Sequence, residues 1–332
     1  MREPIACRRR SLRDCDCRAG RHPPAAAPDS PAKWNGKGKN LFKDVSLRVL
    51  VRRTFRFARF ALFGTMVSVA HSQGIGGAPS VALYYGTNPP VEQLGMFDVV
   101  VVDPDAQFDP RAHAHTHPKW FAYVSVGEVN PQRVYFNAIP SAWMPGMNQA
   151  WASHVIDQTE PGWPAFFVDK VVTPLWRRGY RGFFLDTLDS YQLIAKTDAA
   201  RASQEAGLTR VIRAIKARYP RAKLIFNRGF EILPQVHDLA YMVAFESLYH
   251  GWDASGQRYV EVPQADRDWL LGQARTIRER YGLPVLSIDY CGPGDRACAS
   301  ETVARIEANG IVPYVTDSDL GTVGVGPANP PR

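Results

Sequence analysis

Eight short apolar runs, separated by longer amphipathic segments, constrain the fold of this chain most strongly. Each run is almost continuously apolar, which is typical of strands buried on both faces of a parallel sheet. Regular alternation of such strands with helices, over a length of about 250 residues, predicts a single-domain (β/α)8 TIM barrel of the α/β class. The runs are 80–86, 98–105, 120–129, 182–186, 222–229, 240–247, 284–291 and 311–319.

Helical periodicity supports this interpretation. Apolar residues in 198–219 recur at the i, i+3, i+4 and i+7 spacing of one helix face, and 264–282 carries a similar stripe that Gly282 and Pro284 bring to an end. The first run continues as "YYGTNPP", which lacks the G-x-G-x-x-G pattern of a dinucleotide-binding fold. A barrel is therefore favoured over an open doubly wound sheet.

One connection is unusually long. Residues 130–163, after the third run, are rich in Trp, Pro and Asn. Long ordered loops on such a scaffold usually carry function.

The net charge of +8 is unevenly distributed along the chain. Residues 1–70 contain 16 Lys and Arg against 5 Asp and Glu, which leaves 24 basic and 27 acidic residues in the rest. Because nucleic-acid binding needs positive charge on the folded part, this mildly acidic body argues against it.

The basic leader resembles an export signal. A positive stretch, the apolar "ALFGTMVSVA" and a small-x-small site ending at Ala70 predict a secretory signal at about 47–70, too short for a membrane span. We expect residues 1–73 to be a disordered leader, residues 74–332 to be the barrel domain, and the product to be periplasmic or secreted. The true start codon is expected near Leu47 to Val51.

The five cysteines are also divided between the leader and the rest of the chain. Cys7, Cys15 and Cys17 lie in the leader, where we expect no metal site. Cys291 and Cys298 are seven residues apart in the exported part, which predicts a disulfide that pins one loop, with two free thiols as the alternative.

Polar residues end almost every apolar run, at the position where a barrel gathers its active site. Several carboxylates among tyrosines suit a glycosidase, which needs one carboxylic acid to protonate the leaving oxygen and one carboxylate to attack or to activate water. The residues are Tyr84, Tyr85, Gly86, Asp103, Asp105, Glu128, Asp186, Asp189, Asn227, Arg228, Glu246, Asp289, Tyr290 and Asp317.

These groups could also have other roles. The carboxylates could hold a divalent cation, and "AHAHTHP" at 112–118 could bind a metal or be a solvated loop, although its spacing fits no common zinc signature. Asp186 and Asp189 could cap a helix. Glu246 could be paired with Arg228.

Six segments also resemble a known family. The segments "ALYYGTNPP", "FDVVVVDPD", "AYVSVGEVNP", "TPLWRRGYRGFFLDTLDSY", "LIFNRGFEIL" and "VAFESLY" occur in order between about 80 and 319. They resemble the PelA-like glycoside hydrolase domains, endo-α-1,4-polygalactosaminidase-like barrels of families 114 and 166. The resemblance implies hydrolysis of α-1,4-linked galactosamine and N-acetylgalactosamine exopolysaccharide without a metal or organic cofactor.

Site residues follow from the same motifs. The resemblance implies a retaining mechanism with Asp186 as the nucleophile and Glu246 as the acid/base. A carboxyl separation of about 5–5.5 Å would support retention, whereas about 6.5–9.5 Å would support inversion. The implied substrate contacts are Tyr84, Asp103, Glu128, Asp189, Asn227, Arg228, Tyr249 and Asp289.

The overall prediction is an exported endo-glycosidase that acts on an amino-sugar polysaccharide, with an exopolysaccharide secretion machinery as a further candidate partner. The related proteins continue into a deacetylase module, for which this chain has no room, so we expect a stand-alone hydrolase. The alternatives are a non-catalytic polysaccharide-binding component of a secretion or biofilm assembly, and a hydrolase of another α-linked glycan.

Overall fold

The computed structural model of this chain describes residues 77–326. The leader 1–73, its signal at about 47–70 and its three cysteines lie outside the described residues, and so does the predicted domain boundary, so these remain predictions. None of the helices within 77–326 is both long enough and apolar enough to span a membrane.

Eight parallel strands form one sheet that curves into a barrel. Each predicted apolar run contains one barrel strand, and every barrel strand pairs in parallel with the next. This confirms the predicted (β/α)8 TIM-barrel fold. The third run is an exception at its end, because the barrel strand stops at Ser125 and Glu128 lies beyond it in a separate small sheet. The strands are β1 (Val81–Tyr84), β2 (Val99–Val102), β3 (Lys119–Ser125), β4 (Gly182–Asp186), β5 (Lys223–Asn227), β6 (Met242–Glu246), β7 (Val285–Tyr290) and β8 (Val312–Thr316).

Hydrogen bonds between the first and last strands help to close the barrel. The Tyr314 hydroxyl on β8 donates to the Leu83 carbonyl on β1 at 2.7 Å. Just beyond β1, the Tyr85 amide donates to the Leu320 carbonyl at 2.8 Å.

Helices follow the strands, as the periodicity predicted. The predicted helices 198–219 and 264–282 are present as α4 (Asp198–Arg218) and α6 (Gln264–Tyr281). A π-helical segment, Phe167–Val172, joins α2 (Trp163–Phe166) to α3 (Thr173–Arg178). Thr197 caps α4 by accepting the Ala200 amide, and Gly282 ends α6 with φ +65°. The helices are α1 (Val91–Leu94), α2 (Trp163–Phe166), α3 (Thr173–Arg178), α4 (Asp198–Arg218), α5 (Leu233–Val236), α6 (Gln264–Tyr281) and α7 (Arg296–Glu307).

Two loops carry extra strands. The long connection after β3 folds into a small antiparallel sheet of Glu128–Val129, Gly146–Asn148 and Ser153–Val155. The loop after β6 forms a hairpin of His250–Asp253 and Arg258–Glu261. Both lie on βα connections, which in a barrel surround the mouth where an active site forms.

Candidate active site

Three neighbouring barrel strands end in the residues that form the centre of the site. Asp186, Asn227 and Glu246 are the last residues of β4, β5 and β6. Because these strands are parallel and adjacent, their ends meet at the same edge of the barrel.

Asn227 links the two carboxylates. Its Nδ2 donates to Oδ1 of Asp186 at 2.8 Å and to Oε1 of Glu246 at 2.9 Å. The sum of these distances, 5.7 Å, is the upper limit for the separation of the two oxygens. The amide group has this orientation because its oxygen, turned toward two carboxylates, would be repelled. Oδ1 of Asn227 is buried and has no hydrogen-bond partner among the described residues.

Two tyrosines donate to the outer oxygens of the pair. The Tyr123 hydroxyl donates to Oδ2 of Asp186 at 2.8 Å, and the Tyr290 hydroxyl donates to Oε2 of Glu246 at 2.5 Å. Burial, together with the negative carboxylates, raises the pKa of both hydroxyls well above the usual value. Both therefore remain protonated donors at working pH, and each carboxylate accepts hydrogen bonds on both oxygens.

The environment of Asp186 opposes its ionisation. Burial, and secondly the charge of Glu246, raise the pKa of Asp186 to about 6, although the hydrogen bonds from Tyr123 and Asn227 act in the opposite direction. A pair of close carboxyl groups that carries one proton is the state that a glycosidase needs, since one group acts as an acid and the other as a nucleophile or base.

The backbone is left-handed immediately after each of the three central residues. Thr187, Arg228 and Ser247 have φ values of 61°, 59° and 61°. A conformation of this kind costs about 1–3 kcal/mol for residues other than glycine, and it persists only where the surroundings impose it. The three repeated turns indicate that the strand ends are held in a fixed geometry.

A salt-bridge cluster lies beside this centre. Arg133, from the long connection, donates from both terminal nitrogens to Asp103 at 3.0 Å and also contacts Asp105 at 2.6 Å. Its guanidinium lies 5.9 Å from the centre of the Tyr123 ring. Asp103 is thus engaged by the protein, and the predicted substrate contact at this residue remains untested.

Glu128 is buried, with 4% of its surface exposed. Its carboxylate accepts hydrogen bonds from Asn148 at 2.8 Å, from Ser190 at 2.6 Å and from Ser153. These donors come from two different loops. The geometry favours a role in fastening those loops, whereas the motif predicted contact with substrate.

Asp289, like Glu128, is a buried carboxylate that binds loop residues, here those of the turn that follows β6. It is fully buried, and it accepts the amides of Leu248, Tyr249 and His250 and the hydroxyl of Ser287. Burial raises the pKa of its carboxyl group in spite of these donors. Asp289 therefore supports the turn that follows Glu246, and direct contact with a sugar is not favoured.

The remaining predicted contacts lie at different distances from the centre. Arg228 pairs with Asp189 at 3.9 Å on the rim, and not with Glu246. The Asp189 side chain makes no capping hydrogen bond to the helical turn that follows it. The Tyr84 hydroxyl donates to the Asn88 carbonyl at 3.1 Å. The Tyr249 ring packs against the Arg305 guanidinium of α7, 4.1 Å from the ring centre, and its hydroxyl accepts a hydrogen bond from Asn309 at 2.8 Å.

No metal cluster forms around the histidine-rich loop within residues 77–326. His113 stacks on Phe108 at 5.2 Å, and His117 pairs with Asp98 at 3.1 Å. The one group of potential ligands in this part of the chain comprises His250, Cys291 and Cys298.

Cys291 and Cys298 are joined in a disulfide with a Cα separation of 6.0 Å. The bridge begins directly after Tyr290, at the end of β7. It ties that end to the first turn of α7, which begins at Arg296.

The residue roles implied by the motifs did not include Tyr85, Tyr123 or Tyr290. Tyr85 and Tyr290 stand among the residues at the predicted strand ends, whereas Tyr123 lies inside β3. One signal was available: Tyr123 and Ser125 are two positions apart, so both face the same side of a strand that is otherwise apolar after its first residue, Lys119. Arg133 lies in a loop, where no periodicity marks it.

This chain is similar to known proteins in both sequence and fold. Residues 71–329 match the model of glycoside-hydrolase family GH114. The glycoside hydrolase domain of PelA from Pseudomonas aeruginosa is 37% identical, with 76% of this chain and 100% of that chain covered and a TM-score of 0.68.

Two further relatives are more distant. Ega3 of Aspergillus fumigatus, solved in complex with galactosamine, is 14% identical over 76% of this chain and 96% of that chain, with a TM-score of 0.54, a likeness of fold alone. A protein of Deinococcus radiodurans is 25% identical over 248 residues, which are 68% of this chain and 74% of that protein. The family match confirms the predicted resemblance, and the chain therefore belongs to glycoside-hydrolase family GH114 and is a glycoside hydrolase.

Proposed function

We propose that this glycoside hydrolase is exported and cleaves α-1,4-linked galactosamine and N-acetylgalactosamine exopolysaccharide. The cleavage occurs at internal bonds of the polysaccharide, with retention of configuration. Asp186 is the nucleophile and Glu246 is the acid/base. The observation that carries the proposal is the carboxyl pair bridged by Asn227.

The separation of the pair supports retention. Oδ1 of Asp186 and Oε1 of Glu246 each lie within 2.9 Å of the same nitrogen, which limits their separation to 5.7 Å. Retaining enzymes place these groups about 5–5.5 Å apart, whereas inverting enzymes need about 6.5–9.5 Å to admit a water molecule.

In the first step, the Asp186 carboxylate attacks the anomeric carbon while the Glu246 carboxylic acid protonates the departing oxygen. The bond between the anomeric carbon and that oxygen breaks, and a glycosyl ester forms on Asp186. In the second step, the Glu246 carboxylate removes a proton from water, which attacks the same carbon and releases Asp186. Two inversions at one carbon leave an α-configured product.

The substrate assignment is supported by the relatives and by charge. The matched part of PelA is a glycoside hydrolase domain, and the matched structure of Ega3 contains bound galactosamine. Protonated galactosamine units are cationic, and the mouth carries Asp186, Glu246 and the rim carboxylate Asp189, whereas Arg133 is neutralised by its own carboxylate partners.

The first test is cleavage of polymer. Residues 74–332 should release oligosaccharides from a galactosamine-rich polymer, and Asp186→Asn and Glu246→Gln should each lower the rate by at least about 10²-fold. Asp198→Asn is the matched control, because that carboxylate is exposed on α4 and pairs only with Arg201 among the described residues. Full activity in either site variant would refute the assignment, and tight binding without cleavage would favour a binding component.

The pH dependence separates the two possible role assignments. A nucleophile must be ionised, so with Asp186 in that role kcat/KM should fall as the pH drops below about 6, where its carboxyl group gains a proton. If Asp186 were the acid, kcat/KM would fall as the pH rises above about 6 and Asp186 loses its proton. A pH profile of kcat/KM on a short oligosaccharide distinguishes these outcomes.

Azide rescue identifies the nucleophile chemically. With an aryl α-galactosaminide that has a good leaving group, Asp186→Gly plus azide should yield the β-glycosyl azide, because azide enters directly in place of the nucleophile. Glu246→Gly plus azide should yield the α-glycosyl azide through the intact ester. The opposite products would exchange the two roles.

Export is part of the proposal and has its own test. N-terminal sequencing of the protein recovered from periplasm and medium should find a chain that begins close after Ala70. Mature protein that retains residues 1–45 would contradict the proposed signal.

A further inference from the structure

Three tyrosines surround the carboxyl pair, and two of their hydroxyl groups are used by the protein. Tyr123 donates to Asp186 and Tyr290 donates to Glu246. The third, Tyr85, follows β1 and is half-buried beside them.

Tyr85 is held rigidly at the mouth of the barrel. Its amide donates to the Leu320 carbonyl at 2.8 Å, which fixes the backbone. Its ring packs edge-on against the ring of Tyr123, with centres 5.1 Å apart. Since the Tyr123 hydroxyl contacts Asp186 at 2.8 Å, Tyr85 lies directly beside the reacting centre.

Electrostatics agrees with this position. After burial itself, the charges of Asp186 and Glu246 are the main causes that raise the pKa of the Tyr85 hydroxyl well above its usual value. The group is therefore a neutral phenol at any pH at which the enzyme works. It can donate one hydrogen bond and accept others.

Within residues 77–326, the Tyr85 hydroxyl has no hydrogen-bond partner in the protein. It differs from the Tyr180 hydroxyl, which also lacks a partner but is buried in the structure. The Tyr85 side chain is only partly buried, and its hydroxyl is not among the fully enclosed polar groups that lack a partner.

Substrate binding changes this situation. A sugar placed between Asp186 and Glu246 displaces the water around Tyr85, and a polar group that loses water without gaining a partner is costly. A site of this kind discriminates strongly against ligands that cannot supply the missing hydrogen bond.

We propose that the Tyr85 hydroxyl forms a direct hydrogen bond with the sugar unit whose glycosidic bond is cleaved, and that it thereby determines specificity at the catalytic subsite. The inference rests on the proposed function, because it requires a sugar between Asp186 and Glu246. Tyr123 and Tyr290 act through the carboxylates, whereas Tyr85 contacts the substrate itself.

The test removes one oxygen atom. Tyr85→Phe should lower kcat/KM by about 2- to 12-fold if the sugar group is neutral, and by more than about 12-fold if it is an ammonium group. The melting temperature and the acid limb of the pH profile should not change, because the hydroxyl supports neither the fold nor a carboxylate. Tyr219→Phe is the matched control, since its hydroxyl bonds Thr173 in the outer layer, and it should leave kcat/KM unchanged.

Analogues that each lack one hydroxyl or amino group identify the partner. Removal of any one group should lower the affinity for the parent protein. For the group that bonds to Tyr85, the same removal should lower the affinity for Tyr85→Phe much less. Affinities are measured in a Glu246→Gln background, so that binding is separated from cleavage. A loss that is equal in both proteins for every analogue would overturn the inference.

The possible failures are distinguishable. If the parent cleaves the polymer and Tyr85→Phe has the same kcat/KM and affinity, the proposed function stands and Tyr85 has no such role. If the parent neither cleaves nor binds a galactosamine polymer, the proposed function fails and this inference fails with it. A fall in melting temperature without a change in affinity would assign Tyr85 to the fold.

Discussion

The turn after β4 and the turn after β6 impose the same backbone conformation by different means. Both follow a proposed catalytic carboxylate, Asp186 or Glu246, and both begin with a left-handed residue, Thr187 or Ser247, at φ 61°. Each residue pays a conformational cost that something else in the structure must offset.

At β4 the offset is local and comes from the side chain. The Thr187 hydroxyl accepts the Gly127 amide at 2.8 Å and lies 2.8 Å from the Ser125 hydroxyl. Gly127 permits this approach, because a Cβ there would lie 2.0 Å from the Thr187 carbonyl oxygen. The turn is therefore fastened to the end of β3.

At β6 the offset comes from a neighbouring strand. The Ser247 hydroxyl is buried without a partner among the described residues, and Asp289 of β7 holds the next three amides instead. The two carboxylates are therefore positioned by separate devices. Each device can then be broken while the other remains intact.

Replacement of Asp289 should have the largest effect. In the parent protein, both carboxylate oxygens of Asp289 accept hydrogen bonds from buried donors. Asp289→Asn replaces one of these oxygens with an NH2 group, so at least one buried donor loses its acceptor. We expect the free energy of unfolding to fall by about 3–5 kcal/mol, and activity to fall because Glu246 is displaced. Chemical denaturation measures the first and polymer cleavage the second.

The control for this change is Asp319→Asn, because that carboxylate accepts only a long 3.5 Å hydrogen bond from Ser318 in the described residues. Its effect on stability should stay within about 0.5 kcal/mol. A similarly small effect at Asp289 would show that the β6 turn does not depend on the buried carboxylate.

These supports mark the limit of what the sequence could predict. The strands, and Asp186 and Glu246 at their ends, follow from apolar runs that stop at an acid. Glu128 and Asp289 also end apolar runs, yet both are occupied by loop donors. The pattern along a strand shows where a polar side chain stands but not which loop folds back onto it, since that depends on contacts between distant residues.

Removal of the Thr187 hydroxyl should have an intermediate effect. Thr187→Val keeps the shape of the side chain but leaves the Gly127 amide without its acceptor. We expect a loss of about 1–2 kcal/mol in the free energy of unfolding and a lower kcat, because Asp186 precedes the turn. Thr187→Ser keeps the hydroxyl and should recover most of both, whereas equal losses in the two variants would assign the effect to the methyl group.

The smallest effect should be a gain in stability at Ser247. Glycine adopts positive φ without a steric penalty, and Ser247→Gly also removes a buried hydroxyl that lacks a partner. Since glycine also increases the entropy of the unfolded chain, we expect a net gain of only about 1 kcal/mol. Thr187→Gly relieves the same φ but removes a bonded hydroxyl, so it should destabilise the protein. If both glycine variants shifted the midpoint of unfolding in the same direction, the two turns would share one kind of support, and the distinction between a side-chain device at β4 and a neighbouring-strand device at β6 would be wrong.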